Sequence, residues 1–466
     1  MAEPSKGGGQ LLIKSLKIYH NEVVNIKSAK STNKFVDLLN VYAGFEIYDS
    51  ILSPFQAGEM MITDSNDMIA DYPLIGGELI HIAYNVSGGT DDTKIDLWFR
   101  LTGIKNIAIK ERKQIFTIQF ISEEGFKNAH TSISSSFTGS PSEIISDVFD
   151  NYLFSDSGKK IAVDDALGAL KVVCPRWRAF QVINYVMNKA IDIETNAPGF
   201  FFFQAMHGFR FLSTSTLFDR NRNVCITDKY AEAEAIRAGG KVKKGYLYKV
   251  PGIPTIGSDG KPTSGAVGDE TLQNVDDFRV DYRQTYLKDV NDGFLSSKHI
   301  THDLFFKNYK VDTYDYFDSY EDKKKKIKRI GKIPHYGIYE NKVSSDVKIM
   351  LSPKQSRIHA QKKNEEGFRN LFADDYVQGR KHVLKQITDD VVENFVIPGH
   401  PLITSGRLVE FNFPSMRKVL KPDDAYQKKY SGLYLIRDCV HIVRPVGNGT
   451  AQYKCDTNIV KDGWNA

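Results

Sequence analysis

The sequence predicts an α+β protein that is mainly β, and three observations support that fold class. Phe and Tyr are abundant, at 28 and 23 of 466 residues, and both favour strands and large buried interfaces. Apolar residues recur at every second position in many segments, which is the period of a strand. Two such segments, far apart in the chain, match each other. The prediction is two similar small antiparallel β-barrel domains together with helix-containing α+β domains.

The internal match combines one strand with the hairpin that follows it. The segments are residues 73–84, 101–109 and 114–121 in the first copy, and residues 401–413, 433–442 and 452–459 in the second. With one residue inserted, the apolar face of the strand is shared: Ile80, Ile82 and Tyr84 fall on Val409, Phe411 and Phe413. A repeated unit of this kind indicates one small barrel used twice. Chance similarity between generic strands is the alternative.

Strand-like alternation fills residues 11–122, after a polar, Gly-rich start at residues 1–10 that predicts flexibility. It returns at residues 391–459. Before that second segment, the spacing of apolar residues predicts a helix over about residues 364–387.

A helical block follows the first strand-rich segment. Ser140 precedes Pro141 and Glu143, which is the pattern of a capping box with proline at the first helical position. A second helix is predicted after Pro175, and residues 200–212 then predict a β-hairpin.

A chain of this length is expected to form roughly two to four domains, because single cores stop growing at smaller sizes. The predicted divisions are a flexible N-terminus (1–10), a first β-barrel domain (11–124), an α+β domain (125–220), an α+β region with long loops at 245–272 and 323–356 (221–388), and a second β-barrel domain (389–466) that shares strands with 221–320.

Composition excludes several classes of protein. The 62 basic and 57 acidic residues leave a formal net charge of only +5, which does not indicate a nucleic-acid binder. No apolar run is long enough to span a membrane, and no leader is apparent, so no membrane insertion is expected. Four cysteines show no ligand-like clustering and predict reduced, packed thiols: Cys174, Cys225, Cys439 and Cys455. A disulfide between the last two, across a hairpin, is the alternative.

Sequence motifs for catalysis are missing, so we expect no catalytic, cofactor-binding or metal-ligating residues, no cofactor and no enzymatic activity. Phosphate-binding loops, dinucleotide fingerprints, nucleophile elbows and zinc-protease helices do not occur. His299 and His302 lie three residues apart, which on a strand places them on opposite faces and argues against a metal site. The carboxylates between Asp312 and Asp322 show no sign of a glycosidase pair.

Two further patterns have structural interpretations. Phe200–Phe203 would place rings on both faces of a strand, as in a strand buried on both sides, whereas a base-stacking platform needs interleaved basic residues. The basic run at residues 323–326 is typical of a solvated loop, and contact with nucleic-acid phosphates is the alternative.

Taken in order, four segments resemble the baseplate hub family of contractile phage tails, which is also the N-terminal half of VgrG spike proteins. The segments are residues 177–190 with 199–203 and 208–211, residues 293–304 with 314–316, residues 398–413, and residues 431–436 with His441 and 461–463. The resemblance covers about residues 40–220 and 280–463. It brings no catalytic residue with it.

The resemblance implies a homotrimer in which two barrels per chain form a pseudo-sixfold ring. Such a ring would join the sixfold tail tube, or a tube-initiator protein, to a threefold central spike protein. Baseplate wedge proteins would surround it, and the tape-measure protein and then DNA would pass through its channel. The implied location is the virion, in the tail baseplate, after assembly in the host cytoplasm. The spike is expected to be a separate chain, because no needle-like extension follows Gly463.

Two other functions remain open from the sequence. The chain could be the hub of a non-viral contractile injection system, or a tail-associated enzyme that degrades cell walls. A nucleic-acid-binding role has less support, since the charge is nearly balanced.

Overall fold

The computed structural model describes two long parts of the chain and several short segments between them. The long parts are residues 9–226, apart from 66–67, 69–71, 73, 87–93, 111–112, 155 and 196–197, and residues 391–461, apart from 414–426, 428–430 and 448. The short segments are residues 248–249, 275–280, 296–303, 308–315, 346–351, 380, 383–384 and 387–388.

Strands dominate the described residues, as the sequence predicts. They are β1 (Gln10–Tyr19), β2 (Phe35–Asp37), β3 (Tyr42–Ser50), β4 (Ala57–Asp64), β5 (Leu79–Val86), β6 (Ile95–Lys110), β7 (Lys113–Ser122), β8 (Ser136–Gly139), β9 (Ile161–Val163), β10 (Leu170–Val173), β11 (Phe200–Ala205), β12 (Gly208–Ser213), β13 (Tyr248–Lys249), β14 (Asp277–Val280), β15 (Ser296–Asp303), β16 (Asn308–Asp315), β17 (Asp346–Leu351), β18 (Val391–Pro398), β19 (Leu408–Asn412), β20 (Gly432–Gly447) and β21 (Thr450–Lys461).

The helices are short. They are α1 (Ile26–Ser31), α2 (Glu123–His130), α3 (Pro141–Val148), which continues into a π-helical turn (Phe149–Leu153), α4 (Ala179–Met187) and α5 (Thr214–Phe218).

Thirteen strands form one large, mainly antiparallel sheet. Twelve of them follow the order β13-β19-β20-β3-β4-β7-β6-β5-β1-β21-β18-β14, and β2 pairs with β1. Because β20 also pairs with β21, eight of these strands pair in a closed circuit: β20, β3, β4, β7, β6, β5, β1 and β21. Smaller sheets are formed by β8 with β10, by β9, β11 and β12, and by β15, β16 and β17.

One apolar cluster fills the large sheet, and both ends of the chain contribute to it. Leu16, Ile82 and Phe120 come from the first strand-rich segment, and Phe395 and Phe411 come from the last. All five side chains are buried, and burial of each large apolar side chain contributes about 1.5–3 kcal/mol. The two segments with matching sequences therefore share one core.

The helical block forms as its capping residues predict. Ser140 Oγ accepts a hydrogen bond from Glu143 N, and Glu143 Oε2 accepts one from Ser140 N, so both members of the capping box are engaged at the start of α3. α3 and α4 then pack with β11 and β12 around an apolar cluster of their own.

β11 is buried on both faces, which confirms the interpretation of the four consecutive phenylalanines. Phe200 and Phe202 pack into the cluster of the helical block. Phe201 and Phe203 point the other way and pack in a cluster with Leu408 of β19. This strand therefore joins the helical block to the large sheet.

Several predictions meet the structure only in part. Gln10, predicted to be flexible, is the first residue of β1 and pairs with Gln452. Both His299 and His302 lie on β15, as expected for a strand. The helix predicted over residues 364–387 falls mostly outside the described residues. So do the two predicted long loops, 245–272 and 323–356, except for β13 and β17. Among the described residues, no helix is long and apolar enough to cross a membrane.

Candidate functional site: a shared hairpin and its buried polar cluster

The β20–β21 hairpin belongs to two parts of the large sheet. At its base, β20 pairs with β19 and β21 pairs with β18. Toward its tip, β20 pairs with β3, where Val443 lies opposite Phe45, and β21 pairs with β1, where Gln452 lies opposite Gln10. The tip of this hairpin thus closes a circuit whose other strands all come from residues 10–122.

The structure contains the same five-strand arrangement twice. Repeat A consists of β3, β4, β5, β6 and β7, in the spatial order β3-β4-β7-β6-β5. Repeat B consists of β14, β18, β19, β20 and β21, in the spatial order β14-β18-β21-β20-β19. Equivalent strands also follow one another in the same order along the sequence of both repeats.

The registers of the two repeats agree around the first bulge of each hairpin, although each repeat has a further bulge that the other lacks, between Lys105 and Ala108 in repeat A and between Val392 and Phe395 in repeat B. Leu79 lies opposite Arg100 in repeat A, and its equivalent Leu408 lies opposite Leu435 in repeat B. Two residues beyond those partners, each hairpin has a β-bulge: between Leu101 and Gly103 in repeat A, and between Ile436 and Asp438 in repeat B. A β-bulge is a specific local feature, and its recurrence at a matched position is evidence of duplication.

Two equivalent glycines make the same turn before the third strand of each repeat in chain order, which is β5 in repeat A and β19 in repeat B. Gly77 N donates to Leu101 O over 2.8 Å, and Gly406 N donates to Ile436 O over 2.8 Å. Their φ angles are +90° and +76°, in the region that favours glycine. Chance similarity between generic strands does not account for a matched strand order, register, bulge and turn.

A polar cluster lies beneath the shared hairpin, in the interior of the sheet. It contains Asp49 of β3, Cys439 and His441 of β20, and Tyr453 and Cys455 of β21, all of which are buried. Cys439 and His441 share a strand face because they are two residues apart, and Cys455 lies directly opposite His441. The pairing of three strands therefore assembles the cluster.

Contacts of His441 connect the cluster. Its Nδ1 is 2.7 Å from the Tyr453 hydroxyl and 3.5 Å from Cys455 Sγ. Its Nε2 lies 3.5 Å from Asp49 Oδ2, which is an ion-pair distance. Asp49 also accepts hydrogen bonds from Thr404 Oγ1 and, over 3.3 Å, from Ser405 N. Asp49 thereby links repeat A to the loop that leads into β19.

The cluster favours an imidazolium beside a thiolate. Burial alone would lower the pKa of His441, but the neighbouring Cys455 and Asp49 raise it to about 10. Burial alone would raise the pKa of Cys455, but the hydrogen bond from Cys439 and the charge of His441 lower it to about 5. Both shifts stabilise the charged form of the pair.

Three of these residues form a group that could in principle hold a metal ion. The ligand atoms of Cys439, His441 and Cys455 all lie within 4.8 Å of one another, and thiolate with imidazole suits Zn²⁺. However, Tyr453 already bonds Nδ1 of His441, and Asp49 faces Nε2. A structural zinc site uses four ligands, whereas three converge among the described residues. In this structure Cys455 and His441 interact as a hydrogen-bonded ion pair.

The cluster corrects one expectation from the sequence. The cysteines were expected to show no ligand-like clustering, yet the fold brings Cys439 and Cys455 to His441. The signal was the Cys-x-His spacing on one strand face, combined with a turn at Gly447 that sets Cys455 opposite His441. All four cysteines are free and buried in this structure, so the Cys439–Cys455 disulfide is not formed.

Comparison with known proteins gave matches only among solved structures. No protein-family model matches the chain, and neither does any curated protein sequence. The prophage MuSo2 43 kDa tail protein from Shewanella oneidensis is 10% identical, with a TM-score of 0.48, and the match covers 97% of this chain and 98% of that one. A tail protein from Neisseria meningitidis MC58 is 7% identical, with a TM-score of 0.44 and 97% coverage of both chains.

The Francisella PdpA–VgrG complex supplies a third similar structure. Its matching chain is 9% identical, with a TM-score of 0.41, and the match covers 98% of this chain and 54% of that one. The first two of these structures are described as tail proteins and the third as a complex that contains VgrG.

Proposed function

We propose that this chain is a structural baseplate hub protein of a contractile phage tail. In this proposal it is a homotrimer that joins the sixfold tail tube to the threefold central spike and lines the channel for genome ejection. Repeats A and B would each form one small antiparallel barrel. The observation that carries the proposal is the duplication of five strands with the same order, register and bulge.

The duplication matters because it would allow a threefold assembly to bind a sixfold tube. Three chains with two equivalent repeats each would present six similar surfaces around one axis. A sixfold tube can bind such a ring through six similar contacts. The helical block and the remaining strands occur once per chain, so they would keep threefold symmetry and suit a trimeric spike.

The same proposal assigns the partners and the location. The tube or tube-initiator protein would bind one side of the ring and the spike the other, with wedge proteins around the outside. The tape-measure protein and then DNA would pass through the bore. The protein would be part of the virion after assembly in the host cytoplasm.

The polar cluster supports a structural role for its residues rather than a catalytic one. Cys439, His441 and Cys455 are buried, so the thiolate that His441 stabilises has no surface from which to reach a substrate. We therefore propose that the protein is not an enzyme. A zymogram on host peptidoglycan tests this directly, and a clear lysis zone with the purified chain would favour a tail-associated cell-wall enzyme instead.

The assembly itself is tested by mass measurement and imaging of the purified protein. We expect a trimer by light scattering and a ring with six lobes and threefold symmetry in electron micrographs. A protein that stays monomeric at high concentration, with and without its spike, would contradict the proposal. A hub of a non-viral contractile injection system would give the same ring, and neighbouring genes for a capsid and terminase decide between the two.

A further inference from the structure

We propose that the tip of the β6–β7 hairpin of one protomer pairs with the outer edge of β14 in the next protomer. This inference rests on the proposed trimer and deepens it, because it names the strands that join the protomers. The contact would close repeat B in the way that the β20–β21 tip closes repeat A.

A contact of the same kind already exists within the chain, between β3 and β20. β3 begins the strand order of repeat A, and its outer edge pairs with β20 from Asp438 to Val443. β14 is the equivalent of β3 in repeat B. Among the described residues β14 pairs only with β18, and no described strand pairs with its outer edge. An open strand edge is a ready site for pairing with another chain.

The donor strand is β6, beyond its bulge. On one side this part of β6 pairs with β7, and on the other side it has no strand partner among the described residues. In repeat B the same stretch of β20 is the part that pairs with β3. Between Lys105 and Ala108, β6 has a second bulge that β20 lacks, so the equivalence is counted along the partner strands β7 and β21. On that count Ile104 is equivalent to Cys439, and Ile109, opposite Gln114, is equivalent to Val443, opposite Tyr453.

Exposure differs at the pair of equivalent positions nearer the hairpin tip. Val443 is fully buried inside the closed circuit, whereas Ile109 is 77% exposed. Ile104, like its equivalent Cys439, lies against the core, and Ile107, one of the extra residues of the second bulge in β6, is 55% exposed. Repeat A thus exposes an isoleucine near the hairpin tip where repeat B buries a valine. Exposed apolar side chains on an open strand edge indicate a surface that another protein covers.

The β3–β20 pairing also gives the register of the new contact. Gly58 and Val392 are equivalent, so their partners Ile47 and Val280 are equivalent, and Phe45 corresponds to Phe278. Val443 lies opposite Phe45 in the chain, which places Ile109 opposite Phe278 of the neighbouring protomer. One residue away, Ala108 would lie opposite Arg279.

Aromatic packing supports the equivalence of the acceptor strands. The Phe45 ring contacts Tyr84 at a centroid distance of 6.4 Å. The Phe278 ring contacts Phe413, which aligns with Tyr84, at 5.2 Å. Each acceptor strand therefore presents a phenylalanine whose ring packs against an aromatic residue in β5 or just beyond β19.

The contact is directional, because the donor hairpin and the acceptor edge are different parts of the chain. Every protomer would donate one hairpin and accept one. Such heterologous contacts form a ring when the rotation between protomers closes, and the proposed trimer closes after three.

A paired-cysteine variant tests the register. Ala108 and Arg279 are both exposed, and the native cysteines are buried. Directly opposite residues in antiparallel strands have Cα atoms about 4.5–5.5 Å apart, within the range for a disulfide. We expect Ala108→Cys with Arg279→Cys to give covalent dimers and trimers on oxidation, seen on non-reducing gels. The matched control is Thr102→Cys with Arg279→Cys, which should not cross-link because the equivalent of Thr102, Arg437, lies outside the stretch of β20 that pairs with β3.

A single substitution tests the interface without relying on cross-linking. Ile109→Asp should shift the protein from trimer to monomer in light scattering, with at least a tenfold loss in association. Its melting temperature as a monomer should be unchanged, because the side chain is exposed in one chain. Val173→Asp, at another exposed apolar position, is the control and should remain trimeric.

The possible failures are distinguishable. A wild-type protein that is monomeric would contradict both the hub and this contact. A wild-type trimer in which Ile109→Asp also remains trimeric, or in which the Ala108–Arg279 pair does not cross-link, would leave the hub intact and overturn the hairpin contact.

Discussion

Repeats A and B have the same strand order, but different side chains are buried beneath their hairpins. In repeat A, Ile104 and Phe116 occupy the positions that Cys439 and Cys455 occupy in repeat B. Phe116 is fully buried in an apolar core, whereas the two thiols belong to a polar cluster with His441 and Asp49. The comparison indicates that strand order and register were kept after duplication. The interiors of the two copies differ where the hairpin tip of the second copy enters the first.

Among the substitutions proposed, removal of the Asp49 carboxylate, which links repeat A to His441 of repeat B, should lower the free energy of unfolding most. We expect Asp49→Ala to lower the free energy of unfolding by about 3–5 kcal/mol, because the charged His441 and the Thr404 hydroxyl lose their buried partner. Denaturant unfolding followed by fluorescence measures the change. Asp165→Ala, at an exposed carboxylate, is the control and should change stability by less than about 0.5 kcal/mol. An equal loss in the two variants would contradict the linking role.

The two equivalent glycines should respond differently to the same substitution. Gly406→Ala adds a Cβ only 2.7 Å from Phe203 Cε2, at a φ of +76°, so we expect a loss of about 3 kcal/mol. Gly77→Ala adds a Cβ 3.5 Å from Phe126 Cζ at a φ of +90°, so backbone strain dominates and a loss of about 1–2 kcal/mol is expected. Thermal unfolding of both variants checks the order, and a larger effect at Gly77 would refute it.

The ion pair in repeat B should give a distinctive dependence of stability on pH. Between about pH 6.5 and 9, folding moves a proton from Cys455 to His441 without net uptake or release, so the pair contributes a plateau. Below pH 6.5 the unfolded chain binds one more proton than the folded chain. The contribution of the pair therefore falls by about 2 kcal/mol toward pH 5. Above pH 9 the folded chain binds the extra proton, and stability falls as the pH rises toward 10.

Denaturant titrations at several pH values measure this profile. Cys455→Ser should remove the acid flank and turn the plateau into a fall in stability from pH 7 to 8, because His441 still faces Asp49 and keeps its proton with no thiolate to balance it. Cys174→Ser replaces a buried cysteine in the helical block, away from the pair, and should keep the profile. A wild-type curve with a slope at pH 7–8 that Cys455→Ser leaves unchanged would contradict the ion pair.

Local sequence signals were sufficient for much of the fold. The capping residues at Ser140 and Glu143 predicted where α3 begins, and alternation predicted β5 and β19 with the correct faces. The alignment of Ile80 with Val409 agrees with the pairing registers of both repeats. These features depend on residues close together in the chain, or on a pattern that occurs twice.

The polar cluster and the shared hairpin depend on pairs that are far apart in sequence. Asp49 meets Cys439 across a strand pair separated by almost the whole chain, and alternation alone does not specify which strands become neighbours. The pairing of Cys455 with His441 could have been found by counting outward from the hairpin turn. The contribution of Asp49 could not, because it requires the closure of the circuit.

The closure has a consequence for the order of events during synthesis. The strands β1 to β7 leave the ribosome long before residues 438–452, which supply the strands that cover the outer edges of β1 and β3. Until then the nascent N-terminal sheet has two bare edges, a state prone to wrong pairing between chains. At translation rates of about 5–20 residues per second, synthesis of the more than 300 residues between β7 and the β20–β21 hairpin takes at least ~15 s. Closure of the circuit around the first repeat therefore waits until the β20–β21 hairpin has been synthesised.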